Sequence, residues 1–171
     1  MQTDVGEFRK AMRWLAGGVT VVTTASGMER AGLTATAVCS LSMNPPRILA
    51  CVNLSGMTYR LLSQSRRLVV NVLGMQHQDV AKRFGGIAGD ASDDRFTVDQ
   101  WEISENRAPI FKDAISWIEC NVDEMVLTRT HAIVIGEVNK VGGAGAPNPL
   151  IYLNGSFCGV VQADRREEAS V

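Results

Sequence analysis

The sequence predicts a mainly β chain folded as a small antiparallel barrel, and three observations predict it. β-branched and apolar residues gather into six or seven short strand-like runs. Only short helical stretches separate them, which excludes the regular β-α-β alternation of a doubly wound sheet. Apolar residues make up 46% of the chain, so unpaired strand edges would invite aggregation unless the sheet closes on itself.

The elements follow in order. Phe8, Ala11, Met12 and Leu15 recur at i, i+3, i+4 and i+7, so an amphipathic helix is expected from about Val5 to Ala16, ended by Gly17-Gly18. From Val19 to Thr24 the residues turn β-branched, and a Ser-Gly turn leads into a second strand from Leu33 to Leu41, the two forming a hairpin. Pro45-Pro46 forces an extended approach to Ile48–Val52, a run short enough for a buried strand. A short helix from about Thr58 to Ser63 follows, with Ser55 as one candidate cap. Arg66-Arg67 precede a strand from Leu68 to Leu73, and Gln76 to Phe84 reads as a helix stopped by Gly85-Gly86. Gly, Ala, Ser and Asp between Ile87 and Asp94 mark a surface loop. Three further strands are expected, at Ile115–Leu127, His131–Val141 and Leu150–Leu153, with Gly142 to Pro147 as a flexible connection.

At 171 residues the chain suits one core, so residues 1–162 are expected to form a single domain and residues 163–171 a charged, frayed tail. Lys plus Arg (17) nearly balances Asp plus Glu (18), which leaves no field to hold nucleic acid or an anionic membrane surface. The first residues carry no basic patch before an apolar run, and no apolar run approaches about 18 residues, so a cytoplasmic location is expected. Cys39, Cys51, Cys120 and Cys158 are far apart and form no C-x-x-C pair; they read as buried free thiols rather than metal ligands.

Hydrolase and kinase readings lose their anchors, because H-E-x-x-H, G-x-S-x-G and G-x-x-x-x-G-K-[ST] are all missing. In Gly32–Ser42, small and hydroxyl residues alternate. Such a strand either lets a flat ring lie against its backbone or simply presents a Thr-rich face to water. Cys51–Thr58 places an amide and hydroxyls just before a helix, where they either hold a phosphate or cap the helix. Lys82 and Arg83 end another helix, reaching that phosphate or complementing the helix dipole. His131, one of two histidines, is either structural or catalytic.

Taken together, these segments resemble the flavin reductase-like family with the FMN-binding split barrel, the small partners of two-component monooxygenases. The resemblance is carried by Phe8-Arg9, Gly18–Thr23, Gly32–Ser42, Asn44-Pro45-Pro46, Cys51–Ser55, Val70–Leu73, Arg83-Phe84, Asp94-Arg95-Phe96, His131, Gly136-Glu137-Val138 and Pro149–Tyr152. No single piece is specific; their order over nearly the whole chain is.

The resemblance implies an antiparallel Greek-key split barrel with a few flanking helices. It implies an NAD(P)H:flavin reductase that takes FMN or FAD, uses NADH or NADPH as cosubstrate, and supplies reduced flavin to a partner monooxygenase. A flavin-retaining oxidase and a nonenzymatic flavin- or haem-binding module are the alternatives. Carried over by position, Thr34, Ala35, Thr36 and Ala37 line the ring, with Ser40 and Leu41 nearby. Asn53, Leu54, Ser55 and Thr58, with Lys82 and Arg83, surround the phosphate, and Asn71, Val72 and Leu73 flank the cofactor. His131 is the catalytic candidate and, with Tyr152, faces the nicotinamide; Phe84 lines the cleft. The family often has a basic residue where Leu54 stands, a charge that Arg83 can replace. The family also implies a homodimer.

Overall fold

The computed structural model describes residues 4–86, 95–97, 99–145 and 148–161. The loop expected at 87–94 and the tail expected at 163–171 lie outside the described residues. The order is α1 (Val5–Met12), β1 (Gly17–Gly18), β2 (Thr20–Ser26), β3 (Glu29–Ala35), β4 (Val38–Met43), β5 (Pro46–Asn53), α2 (Met57–Ser65) and β6 (Arg67–Val72). A 3-10 turn at Met75–His77 leads into α3 (Gln78–Phe84). After it come β7 (Trp101–Ile103), β8 (Pro109–Phe111), β9 (Ser116–Leu127), β10 (His131–Gly142), β11 (Ile151–Leu153) and β12 (Ser156–Cys158).

Seven strands form one antiparallel sheet in the order β3-β2-β6-β9-β10-β5-β4. Its two edges, β3 and β4, are consecutive in the chain and only Thr36 and Ala37 lie between them. Ala35 and Val38 are three residue steps apart, at most about 11 Å, so the sheet has to curl until its edges meet. The Cys51 amide donates to the Ala37 carbonyl at 3.0 Å and the Thr20 hydroxyl to the Ala35 carbonyl at 2.9 Å, holding the corner in place. β3 and β4 are not paired with each other, and the barrel is therefore split.

The twofold strand period distributes side chains between two cores. Val22 on β2, Leu68 and Val70 on β6, and Val122, Val134 and Val52 fill the barrel. Their neighbours Val19 and Val21 turn outward against Leu73, Val80, Phe84, Phe96, Trp101 and Phe111, beneath α3. Phe84, Phe96, Trp101 and Phe111 make a chain of edge-on and tilted rings 5.0–5.3 Å apart, the geometry aromatic quadrupoles favour.

Several expectations change. The strand expected at Leu33–Leu41 is two strands, because barrel closure bends the chain at Thr36-Ala37. α1 ends at Met12, not Ala16. The glycine pair forms β1, whose Gly17 pairs with Tyr152 and sits so close to Thr36 that an added Cβ would lie 2.8 Å from its Cβ. Ser55 is not the cap of α2; Gly56 is, and Arg66 ends the helix in the left-handed region at φ 55°. The hairpin β7–β8 and strand β12 were not expected, being only three residues each. Among the thiols only Cys120 is buried; all four are free, and Cys39 is exposed on edge strand β4. Burial pushes the Cys120 thiol up to about 12, with Glu119 adding to the effect. Among the described residues no helix is long and apolar enough to cross a membrane.

Candidate functional site

The Thr36-Ala37 corner, the end of β5 and the start of β10 come together at one rim of the barrel. Asn53 and His131 are direct cross-strand partners, and the Leu54 amide donates to the Thr130 carbonyl at 3.0 Å. Beyond β5 the chain forms a tight polar turn: the Asn53 side-chain oxygen accepts from the Ser55 amide at 2.9 Å and from its hydroxyl at 2.8 Å. This is the local bonding that short polar side chains favour outside helices, and it holds Ser55 short of α2.

A cleft of about 480 Å³ opens beside this turn, within the usual size of small-molecule sites. Asn53, Ser55, Gly56 and Thr58 form one wall, Arg30 to Leu33 of β3 another, and Phe84, Gly85, Gly86, Arg95 and Phe96 the rest. Gly32 is required here: a Cβ would meet Phe84 Cε1 at 2.9 Å and Thr23 Cγ2 at 3.2 Å. The Arg30 guanidinium lies over the Phe96 ring, 5.1 Å from its centroid.

A second cleft, about 470 Å³, lies past the corner. Phe8, Arg9, Met12 and Arg13 of α1 face Thr36, Ala37, Tyr152, Asn154 and Gly155 across it. The two clefts share no lining residue. A third, largely apolar cleft of about 410 Å³ is lined by Ser40, Val72 and the inner residues of β4 and β5.

The candidate residues are thus sorted by the fold. Asn53, Ser55, Thr58 and Phe84 share the polar cleft, while Thr36, Ala37 and Tyr152 share the second. Thr34 donates its hydroxyl to the Ala81 carbonyl at 2.7 Å, tying the corner to α3. Leu41 is exposed on β4 and Leu54 half-buried against the barrel core. Ala35 packs within the barrel core.

Other residues are not where the sequence suggested. Asn71 and Leu73 are fully buried. The Asn71 amide donates to the Val21 carbonyl at 3.0 Å and Thr23 Oγ1 at 3.2 Å, and its oxygen accepts from the Phe111 amide at 2.8 Å. Its polar atoms are committed to the core, and it ties β2, β6 and β8 together. Lys82 faces Asp79 at 3.8 Å, and neither Lys82 nor Arg83 lines the polar cleft; Arg30 and Arg95 stand there instead. Arg30 follows a turn in an exposed hairpin, a position that reads in the sequence as a solvated charge. Arg83 keeps Nη1 out of solvent with no protein partner.

His131 is exposed, and its Nδ1 lies 2.8 Å from Thr130 Oγ1, which fixes the ring. It stands beside the polar turn, whereas Tyr152 belongs to the second cleft, so the two residues assigned to the nicotinamide do not share a wall. The donor set suits a phosphorylated aromatic ligand: an amide, a hydroxyl and two guanidinium groups in one cleft, with a small-residue corner next to it.

The flavin reductase like domain matches residues 12–161. The FMN reductase (NADH) RutF of Pseudomonas syringae pv. syringae is 37% identical over 145 residues, covering 85% of this chain and 80% of that protein. The solved structure of flavin reductase PheA2 in its native state superposes with a TM-score of 0.84 at 30% identity, over 94% of this chain and 100% of that one. BorF, the flavin reductase component of a bacterial two-component tryptophan halogenase, gives 0.84 at 27% identity, over 94% and 100%. By sequence and by fold, the chain belongs to the flavin reductase like domain family.

Proposed function

We propose that the chain is an oxidoreductase that reduces FMN with NADH and releases the reduced flavin to a partner monooxygenase or halogenase. The observation that carries this reading is the meeting, at one rim of the barrel, of a small-residue corner with a polar cleft holding Asn53, Ser55, Arg30 and Arg95. Relatives and structural neighbours named as NADH-dependent FMN reductases and two-component flavin reductases support it.

When bound, flavin and nicotinamide supply the redox chemistry as a hydride passes between their stacked rings. The residues of this chain supply position. Thr36 and Ala37 provide a flat seat at the corner, where small side chains let a ring approach the backbone. Asn53, Ser55 and Thr58 with Arg30 and Arg95 hold the phosphate, and Arg83, whose Nη1 has no partner among the described residues, lies near the end of the same helix as Phe84. His131, fixed by Thr130, stands at the edge of this seat and orients the incoming nicotinamide.

A homodimer fits exposed Trp14, in the segment after α1, together with exposed Met43 on β4. Four free thiols suit a reducing cytoplasm. The test is a steady-state assay that crosses NADH and NADPH with FMN, FAD and riboflavin, coupled to trapping of free reduced flavin. Rapid NADH oxidation with FMN and release of the product is the expected result. No oxidation with any flavin sinks the reading, and reduced flavin that never leaves the protein sinks its transfer to a partner.

A further inference from the structure

We propose that Arg9 and Arg13 of α1 seat the pyrophosphate of the reduced dinucleotide cosubstrate in the cleft past the Thr36-Ala37 corner. The inference rests on the reductase reading and deepens it by assigning the second ligand to a place.

The two arginines are four residues apart and so share one helix face, and both line that cleft. The other charges of the helix are already engaged: the Asp4 carboxylate caps it by accepting from the Glu7 amide at 3.0 Å, and Lys10 pairs with Glu7 at 2.8 Å. Among the described residues neither Arg9 nor Arg13 has an ion-pair partner. The chain as a whole carries a net charge of −1, so two free guanidinium groups in one cleft are a local feature rather than a share of a general positive surface. Planar forked donors match phosphate oxygens in pairs.

The Asn154 amide donates to the Arg13 carbonyl at 2.7 Å, and Gly17 pairs with Tyr152, so α1 is tied to the hairpin that forms the opposite wall. Phe8, Met12 and Tyr152 add apolar and aromatic surface suited to an adenine. The flavin phosphate has its polar set in the other cleft, while the ring seat at Thr36 and Ala37 forms the near wall of this one. A second molecule whose ring lies on the first then extends its tail along α1, where Arg9 and Arg13 stand.

The experiment compares the wild-type chain with the double variant R9A/R13A, using NADH and reduced nicotinamide mononucleotide, which keeps the ring but lacks the pyrophosphate and adenosine. Loss of the charge-assisted bonds is expected to raise KM for NADH about tenfold. On the same footing, kcat, the FMN Kd and KM for the mononucleotide stay within about twofold. R9K/R13K keeps the charge without the fork and is expected to fall between the two. An unchanged KM for NADH overturns the proposal, as does an equal loss for both reductants. Weakened FMN binding overturns it by moving the arginines to the flavin, and an altered oligomeric mass by moving them to a subunit contact. Should the wild type oxidise no NADH with flavin, the reductase reading fails first. Calorimetric NADH binding to wild type and double variant then still decides the arginines.

Discussion

At the scale of single residues, His131 and Asn71 show how alike a proposed site residue and a core residue look before folding. Both sit among β-branched neighbours. His131 is exposed with its ring held by Thr130, and His131→Ala is expected to lower the rate of flavin reduction about tenfold or more by releasing the nicotinamide from its orientation. FMN retention, read by fluorescence titration, should change far less; an unaltered rate would reassign the residue to structure. Asn71 is the opposite case. Asn71→Ala leaves the buried Phe111 amide without an acceptor and removes two further bonds, at a cost of about 3 kcal/mol. Urea denaturation checks it, and a loss well under 1 kcal/mol would show that water replaces the side chain.

At the scale of elements, β3 and α3 meet at Gly32, where strand backbone lies against the Phe84 ring. Gly32→Ala forces that ring or the strand to move and is expected to destabilise by about 1–3 kcal/mol. It should weaken FMN binding in parallel, since Gly32 and Phe84 share the polar cleft; wild-type affinity with wild-type Tm would refute the close packing. The turn before α3 depends on His77, whose Nδ1 accepts the Gly74 amide at 3.0 Å while its ring sits edge-on to Phe111, 4.9 Å between centroids. Burial lowers its pKa from 6.5 against a smaller opposing pull from Asp113. The unfolded chain therefore binds the proton first, so this contribution is intact above pH 6.5 and is lost as pH falls through the lowered value. Tm of the wild type should drop below pH 6.5 more steeply than Tm of His77→Gln, which keeps an acceptor but does not titrate. Parallel curves would exclude His77 as the cause.

At the scale of the whole molecule, closure through two residues makes the Thr36-Ala37 corner both the seam of the barrel and part of the wall of the second cleft. Most pairings that produce it are far apart in sequence, such as Asn53 with His131. Exposed Trp14 stands in the N-terminal stretch after α1, with exposed Met43 on the edge strand. Light scattering at micromolar concentration is expected to give twice the mass of the chain, and Trp14→Glu to shift it toward the monomer by placing a charge on an apolar contact. A wild-type monomer at that concentration would leave those side chains without the proposed cover.

The long strands β9 and β10, the helical stretch before Gly85, and the antiparallel barrel class were legible in the sequence, because period-two patterning and glycine stops act over neighbouring residues. The polar residues between β5 and α2 were legible too, but the Asn53–Ser55 turn that takes Ser55 away from the helix cap was not. The break of one apparent strand at Thr36, the commitment of Asn71 to the core, and the arrival of Arg30 and Arg95 rather than Lys82 at the polar cleft were decided only by tertiary structure. Each depends on how far the sheet curls and which strands it brings into register, a property of contacts between distant segments that no local spacing contains.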